Sequence, residues 1–487
     1  MAVTLTGGHL CPKTNTESDY SDYGYFYDAL SGYGAYWYDN AGDYVSPNQY
    51  IQGIDRYRKS FGEFRISSPQ DASLRFIGGL FWQRQTHNIE QNYIIDDIAD
   101  SITVPGTDSN IWLTKQLRTD RDYAAFGELS FDVTDKLTLT GGARLYKFDN
   151  SLIGFFGYSR GYSSRTGVAA CFTTTGETLR NNPTGTLAPA DVAGSPCTNV
   201  DKSTSDTGAI FKLNATYKIN DDALVYATWS RGYRPGGVNR RGTLPPYGAD
   251  ELDNYELGWK TNFGAFRFNG AVYKLDWNNI QLTFLGANGL SEVRNVGIAR
   301  IRGVEMDVGY RAGGFSLNAG MSYNDAKIRR DFCLIANPAF DCTLPGPAGE
   351  TNDLLAPSGS RLPVTPKFKG NVVARYEFPI SDWNGHVQLA ANHTGSRRTD
   401  LRPAQAAIKG GLDSYTTVDF SFGVKNDLWS IEAFATNLFD ELGVVNTGVS
   451  CLETVCGDPG GGTALGGTFY DTLIKPRIIG LKFSRDF

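Results

Sequence analysis

The sequence lacks any apolar run of about 18 residues, the length that a helix needs to cross a membrane. Its mean hydropathy is only −0.31. Together these two absences exclude a helical membrane protein. They do not exclude a membrane protein built from strands, because such strands are apolar on one side only.

Basic residues do not predominate, and histidine is scarce. The 487 residues include 46 Lys and Arg against 52 Asp and Glu, which gives a formal net charge of −6. This mild acidity removes the electrostatic argument for binding nucleic acid. The four histidines are scattered, and no Ser/His/Asp arrangement, HExxH or CxxC motif is present. The sequence therefore predicts neither an enzyme nor a site for a metal or cofactor.

Glycine and aromatic residues are abundant, with 56 Gly, 26 Tyr and 28 Phe. Such a composition is unusual for a series of soluble α/β domains, although the length alone would suggest roughly three. Helical periodicity is nearly absent, whereas alternation with a period of two recurs, as in Leu137–Leu145. In the last strand, Ile479, Leu481, Phe483 and Phe487 fall on one side. This pattern predicts strands with one apolar and one polar face.

The connections between these strands alternate between two lengths. Short turns are predicted at Ser67–Ser73, Thr134–Lys136, Asn220–Asp222, Gly264–Ala265, Ala312–Gly314, Pro379–Gly385 and Asn426–Leu428. Longer segments are predicted at Asn92–Asn110, Asn150–Asp206, Pro235–Asp250, Gly286–Ser291, Asp331–Pro366, Ser396–Ser414 and Glu441–Lys475. In an antiparallel meander this alternation places every short turn at one end and every long loop at the other. Outer-membrane barrels have this arrangement, with the long loops extracellular.

We therefore predict an all-β fold, a transmembrane antiparallel β-barrel. We expect about fifteen strands from Gly53 onward and a possible further strand at Ala2–Gly8. Many exceed the roughly 9–11 residues needed to cross the hydrocarbon. Strands near Leu74–Gln91 and Phe266–Leu285 should project beyond the outer leaflet. Closure matters because an open sheet edge cannot face lipid.

Six of the seven cysteines fall in pairs within long loops. The pairs are Cys171 with Cys197, Cys333 with Cys342, and Cys451 with Cys456. Their spacing predicts disulfides within loops in an oxidising compartment, with free thiols as the alternative. Zinc is disfavoured because no histidine lies near these pairs. Cys11 is left over and the first twelve residues do not resemble a signal peptide, so we expect that an N-terminal part is missing.

Several segments, in order, resemble the barrel domain of TonB-dependent outer-membrane receptors, and the similarity covers nearly the whole chain. They are Tyr57–Pro69, Leu74–Gln85, Tyr226–Asn239, Glu251–Phe263, Asn295–Arg311, Ala435–Glu441 and Lys475–Phe487. The resemblance implies a barrel of 22 strands around an N-terminal plug on which TonB pulls. The 15–16 strands predicted here suggest one N-terminally truncated barrel domain over residues 1–487. In this family the terminal aromatic belongs to the signal read by the barrel-assembly machinery, which implies that role for Phe483 and Phe487.

A Tyr-rich segment within residues 9–52 is a candidate ligand-binding loop. Asp19–Tyr44 contains eight tyrosines, Trp37 and five aspartates. Aromatic faces and hydroxyls suit a flat chelate or a sugar. The candidate contacts are Tyr25, Tyr27, Tyr36, Trp37 and Tyr38. The alternative is an ordinary polar extracellular loop, rich in Tyr, Gly and Asp because such residues build irregular structure.

Arginines recur near the predicted strand ends, at Arg231, Arg234, Arg240, Arg241, Arg329, Arg330, Arg397 and Arg398. One hypothesis is a basic funnel for an anionic ligand such as a ferric siderophore, with Arg231 and Arg234 as its contacts. The alternative is that these arginines pair with carboxylates of the barrel or plug, or with lipopolysaccharide phosphates.

The leading functional hypothesis is a TonB-dependent receptor barrel in the bacterial outer membrane that takes up a scarce nutrient, most often a ferric siderophore in this family. The expected partners are outer-membrane lipid, lipopolysaccharide, TonB, the assembly machinery and the small ligand, without nucleic acid. The alternative is a passive porin-like channel, for which sixteen strands would be a permissible even number. DNA upstream of Met1 would discriminate the two, because a plug segment there would favour the receptor.

Overall fold

The computed structural model describes residues 1–21, 37–158, 170–285, 291–335, 337, 339–346, 349, 351–449 and 469–485. Strands dominate this part of the chain, and its one helix, α1, is Pro403–Lys409. None of the helical structure in these residues has the length and apolar character needed to span a membrane.

The large sheet is built from the long strands of the chain. They are β1 (Ala2–Leu10), β2 (Lys13–Asp19), β5 (Tyr50–Ser67), β6 (Leu74–Ile94), β7 (Asn110–Asp132), β8 (Leu137–Tyr158), β9 (Val200–Asn220), β10 (Ala223–Arg234), β11 (Asp250–Phe263), β12 (Phe266–Asn278), β15 (Ala299–Ala312), β16 (Phe315–Ile328), β19 (Phe368–Ile380), β20 (Trp383–Thr394), β23 (Tyr415–Lys425), β24 (Trp429–Thr436) and β27 (Ile478–Arg485). Short strands pair two by two in the connections, and they are β3 (Trp37–Tyr38), β4 (Tyr44–Val45), β13 (Gln281–Leu285), β14 (Ser291–Asn295), β17 (Phe332–Cys333), β18 (Leu354–Ala356), β21 (Arg397–Arg398), β22 (Gly411–Leu412), β25 (Val444–Val449) and β26 (Phe469–Leu473).

From β5 to β27, each strand of the large sheet pairs antiparallel with the next long strand along the chain. At the N-terminus, β1 and β2 pair in succession with the single strand β5. The amide of Tyr57 donates to the carbonyl of Pro12 between them, at 3.0 Å. Counted as one interrupted strand, β1 and β2 bring the sheet to sixteen strand positions within the described residues. This number confirms the expected fifteen strands with one more at the N-terminus.

The first strand is longer than predicted, and the Tyr-rich loop is correspondingly shorter. The sequence predicts Lys13–Asp19 as part of the loop at residues 9–52, but this segment forms β2 against Tyr50–Arg56. Its sequence, KTNTESD, has no apolar alternation to indicate a strand. The segment is extended because β5 offers it a row of backbone hydrogen-bonding partners, which a sequence pattern does not reveal.

The two classes of connection lie at opposite ends of the sheet, as predicted. Turns such as Gly264–Ala265 join β11 to β12 at one end, whereas residues 235–249 join β10 to β11 at the other. The predicted loop Asn150–Asp206 is shorter than expected, because β8 continues to Tyr158 and β9 begins at Val200.

The predicted strand Phe266–Leu285 is wrong in its second half. The strand β12 ends at Asn278, and Asn279 adopts a φ of 56°, which is incompatible with an extended strand. Residues Gln281–Leu285 then pair with Ser291–Asn295 in a separate hairpin. Their alternation resembles that of β12, so the sequence does not distinguish one long strand from a strand and a hairpin.

The two faces of the large sheet differ in polarity. One face carries large exposed apolar side chains, among which Leu80, Leu145 and Leu213 are 61%, 59% and 57% exposed. The other face carries paired polar groups, such as Lys212 Nζ at 3.0 Å from Glu128 Oε2. An apolar surface that spans many strands needs a partner other than water.

Several aromatic rings lie across a glycine directly opposite them on the neighbouring strand. Tyr226 is in register with Gly258, and a Cβ at that glycine would overlap the tyrosine ring. The ring is held there because Tyr226 Oη donates to Glu256 Oε1 at 2.6 Å. Comparable pairs are Tyr146 with Gly208, Trp259 with Gly270, Tyr273 with Gly303, and Phe434 with Gly480. Glycine is therefore required at these positions for close packing.

Replacing Gly258 with alanine is expected to lower the free energy of unfolding by about 1–3 kcal/mol, because the new methyl group displaces the ring of Tyr226. Urea unfolding in detergent micelles, followed by tryptophan fluorescence, measures this loss. Gly62→Ala is the matched control, since nothing lies within 4 Å of a Cβ at that strand position. Equal losses in the two variants would contradict the prediction.

Candidate functional site at the long-loop end

Among the described residues, the long connections and the strand ends that adjoin them contain most of the buried apolar side chains. One cluster joins Trp37, Ile95, Ile111 and Trp112, and a second joins Ile280, Phe284, Phe332 and Leu401. Each cluster draws residues from several connections that are distant in sequence. The long-loop end is therefore packed as a structured unit that can hold side chains in fixed positions.

The predicted ligand contact Arg231 is engaged by carboxylates. Its Nε donates to Asp253 Oδ1 at 2.9 Å, and its Nη2 lies 2.8 Å from Asp253 Oδ2. Its Nη1 lies 3.3 Å from Glu251 Oε2. The guanidinium charge is thus balanced by two acidic side chains of β11.

Arg234, the second predicted contact, is held in the same way. Its Nη2 donates to Asp250 Oδ2 at 2.5 Å and to the carbonyl of Gln281 at 2.7 Å. Its Cζ lies 5.6 Å from the centre of the Trp277 ring. The geometry at both arginines favours the pairing alternative over a basic funnel, because neither guanidinium lacks a carboxylate partner.

The candidate aromatic residues divide into three groups. Tyr25, Tyr27 and Tyr36 lie outside the described residues. Trp37 is only 6% exposed and packs into the first cluster of the loops. Tyr38 is 42% exposed, and its ring lies 4.6 Å from that of Tyr44. Among the described candidates, Tyr38 is therefore the one that a ligand could reach.

The structure contains two of the three candidate disulfides. Cys171 is bonded to Cys197 across 26 residues, and Cys333 is bonded to Cys342 across 9 residues. The third candidate pair, Cys451 and Cys456, lies outside the described residues. Cys11 is an exposed free thiol whose Sγ lies 3.1 Å from His9 Nε2.

Two buried ion pairs lie at this end of the sheet, and no sequence motif predicts them. Arg402 Nε and Nη2 each lie 3.0 Å from an oxygen of Asp400. Arg241 Nη1 lies 3.6 Å from Glu292 Oε2. All four side chains are less than 10% exposed. Arg241 belongs to the recurring arginines noted in the sequence, but its partner is 51 residues away.

The last described strand carries one of the two predicted assembly residues. Phe483 in β27 is in register with Ile431 of β24 and is 66% exposed. It lies on the apolar face of the sheet, as the alternation predicts. Phe487 lies outside the described residues.

Comparison with solved structures identifies the fold. The ferric yersiniabactin uptake receptor FyuA from Yersinia pestis superposes with a TM-score of 0.63 at 18% identity, over 90% of this chain and 55% of that chain. The siderophore receptor PiuA from Acinetobacter baumannii superposes with a TM-score of 0.62 at 13% identity, over 98% of this chain and 61% of that chain. The predicted antiparallel barrel class is confirmed.

Sequence comparison gives the family. The pesticin receptor of Yersinia enterocolitica (serotype O:8, biotype 1B) is 23% identical over 397 residues, which are 79% of this chain and 47% of the relative. The rhizobactin receptor of Rhizobium meliloti is 26% identical over 214 residues, which are 39% of this chain and 26% of the relative. The chain thus spans about half the length of the pesticin receptor and a smaller part of the rhizobactin receptor. The sequence model described as "TonB dependent receptor-like, beta-barrel" matches residues 7–438. The chain belongs to this family of TonB-dependent receptor-like β-barrels.

Proposed function

We propose that the protein takes up a ferric siderophore across the bacterial outer membrane with energy delivered by TonB. The observation that carries this proposal is the family match over residues 7–438, joined by similarity to receptors named for siderophores. The packed long-loop end would capture the ligand outside the cell. The sheet would enclose the path, and its share of transport would be containment and loop display.

The different polarity of the two faces of the sheet supports the proposed membrane partners. Outer-membrane lipid and lipopolysaccharide would cover the exposed apolar side chains, such as Leu145 and Leu213. The barrel-assembly machinery would recognise the final strand through Phe483 and Phe487. In the Tyr-rich segment, Tyr25, Tyr27, Tyr36 and Tyr38 would contact the chelate, whereas Trp37 would position the loop from its buried site.

The test is uptake of radioactive iron bound to a siderophore, measured in iron-limited cells that carry or lack the gene. We expect uptake only in cells with the gene, and we expect a protonophore to reduce it at least about tenfold, because TonB draws on the proton gradient of the inner membrane. Cells that lack TonB provide the second control. They should resemble the protonophore-treated cells.

A passive porin-like channel, which the even number of sixteen strand positions permits, gives the opposite result. Its flux would follow the ligand gradient and would persist in the presence of the protonophore. Uptake that needs the gene but is independent of both TonB and the proton gradient would therefore overturn the receptor proposal and establish the channel.

A further inference from the structure

A small pocket of about 190 Å³ lies where four long connections meet at the long-loop end. Its cationic wall consists of Arg241, Arg294 and Arg402, and its aromatic wall includes Phe284 and Phe332. These residues come from the connections after β10, β12, β16 and β20. The pocket is separate from Arg231 and Arg234, which do not line it.

Two of the three guanidinium groups in the cationic wall share one carboxylate, whereas Arg402 has a carboxylate of its own in Asp400. A single carboxylate, that of Glu292, serves both Arg294 Nε at 2.6 Å and Arg241 Nη1 at 3.6 Å. Arg241 is only 8% exposed, and its Nε has no hydrogen-bond partner among the described residues. Burial lowers the pKa of Arg241 from its usual value, which reflects the cost of holding this charge away from water. An additional anion in the pocket would give these two arginines a second carboxylate-like acceptor.

The aromatic wall limits what this anion can be. The rings of Phe284 and Phe332 are stacked with centres 5.1 Å apart, and both side chains are at most 5% exposed. Arg402 Cζ lies 5.1 Å from the centre of the Phe284 ring. A cavity of about 150 Å³ is known to hold benzene, whereas drug-sized ligands need roughly 300–1,000 Å³. The pocket therefore has room for one aromatic ring and its acid group.

We propose that this pocket binds an aromatic carboxylate, with the carboxylate on Arg241 and the ring against Phe284 and Phe332. The inference rests on the proposed function, because the aromatic carboxylate would be one arm of the chelate that the loops capture. Arg294 would complete the positive rim, whereas the charge of Arg402 is balanced by Asp400. Glu292 would hold Arg241 and Arg294 in place in the empty pocket and compete with the incoming carboxylate.

The probe is 4-fluorobenzoate, titrated into the full 487-residue chain in detergent micelles and followed by ¹⁹F NMR line broadening. We expect saturable binding that benzoate displaces. Neither benzamide, which has the ring without the charge, nor inorganic phosphate, which has charge without the ring, should displace the probe at equal concentration. Equal displacement by either would overturn the assignment of an aromatic carboxylate, as would the absence of saturable binding.

Two variants test the assigned atoms. Arg241→Gln should weaken binding at least about tenfold, because a charged hydrogen-bond donor is lost. Arg240→Gln is the matched control, since this exposed neighbour makes the same change of charge outside the pocket and donates to Gln91. It should stay within about twofold of the original chain. Equal affinities for the two variants would overturn the proposal.

A third variant, Glu292→Gln, distinguishes a specific effect on the pocket from simple misfolding. Removing the competing carboxylate should tighten probe binding by roughly threefold to tenfold, a gain that a damaged protein would not produce. Unchanged or weaker binding would count against the proposed site. If the original chain binds the probe but cells that carry its gene take up no siderophore-bound iron, the transport proposal alone is refuted. If uptake depends on the gene as expected but the chain does not bind the probe, the pocket proposal alone is refuted.

Discussion

Replacing Cys171 and Cys197 together with serine is expected to destabilise the connection between β8 and β9 by about 3–4 kcal/mol. The disulfide closes a separation of 26 residues, so its removal restores much conformational freedom to the opened chain. Both cysteines are also buried, at 3% and 1% exposure, in a cluster with Val104, Leu113 and Phe155. Hydroxyl groups in this apolar cluster would add a desolvation cost.

Hydrogen exchange of the intact chain measures the effect of this change. Backbone amides of residues 170–199 should lose protection, whereas those of the β7–β8 ladder should keep theirs. The double variant Cys333→Ser and Cys342→Ser is the matched control. It opens a separation of only 9 residues, for which about 2–3 kcal/mol is expected. The Cys171/Cys197 variant should lose more protection at residues 170–199 than the Cys333/Cys342 variant loses at residues 332–343. An equal or smaller loss would contradict the role assigned to the longer bridge.

The strands of the sheet could be predicted because their surroundings impose a simple period. A strand with an apolar partner on one side and polar groups on the other must alternate, as Leu137–Leu145 does in β8. Turn positions such as Gly264–Ala265 also follow, because a glycine with a φ of 62° marks the reversal. The separation of short turns from long loops then predicts the barrel, which the alternation of residues alone does not establish.

The loops could not be predicted in the same way, because their structure depends on contacts between distant segments. Trp37 has the sequence surroundings of an exposed ligand-binding aromatic, yet it is buried against Ile111 and Trp112. The hairpin of Gln281–Leu285 and Ser291–Asn295 has the alternation of a longer strand. Neither outcome has a local cause that a sequence pattern would show.

The candidate site shows the same division. The recurrence of arginines near the strand ends was visible, but their partners were not. Arg231 and Asp253 are 22 residues apart on neighbouring strands, and a shift of one residue in register would turn both Asp253 and Glu251 to the opposite face of the sheet. The ionic partners of a loop arginine are therefore decided by register and loop packing, which only the structure provides.

Replacing Asp400 with alanine is expected to destabilise the connection between β20 and β23 by about 3–5 kcal/mol, because it leaves the buried guanidinium of Arg402 without its carboxylate. Asp400 and Arg402 are 6% and 7% exposed, and two hydrogen bonds of 3.0 Å join their side chains. The backbone amide of Arg402 also donates to Asp400 Oδ1 at 3.0 Å, immediately before helix α1. A helix of seven residues is too short to be stable alone, so it depends on these contacts.

Limited trypsin digestion of the chain in micelles measures this loss, because cleavage between Lys409 and Gly410 requires the connection to open. We expect cleavage to accelerate by about a hundredfold or more in Asp400→Ala. Asp413→Ala is the matched control, since this exposed carboxylate lies in the same connection and should leave the rate nearly unchanged. Lys409 Nζ lies 3.9 Å from Asp400 Oδ2, and burial already lowers the pKa of Lys409. Loss of the aspartate charge, in Asp400→Ala or in Asp400→Asn, should lower that pKa further. A cleavage rate in Asp400→Ala equal to that of the control would show that the buried pair does not stabilise this connection.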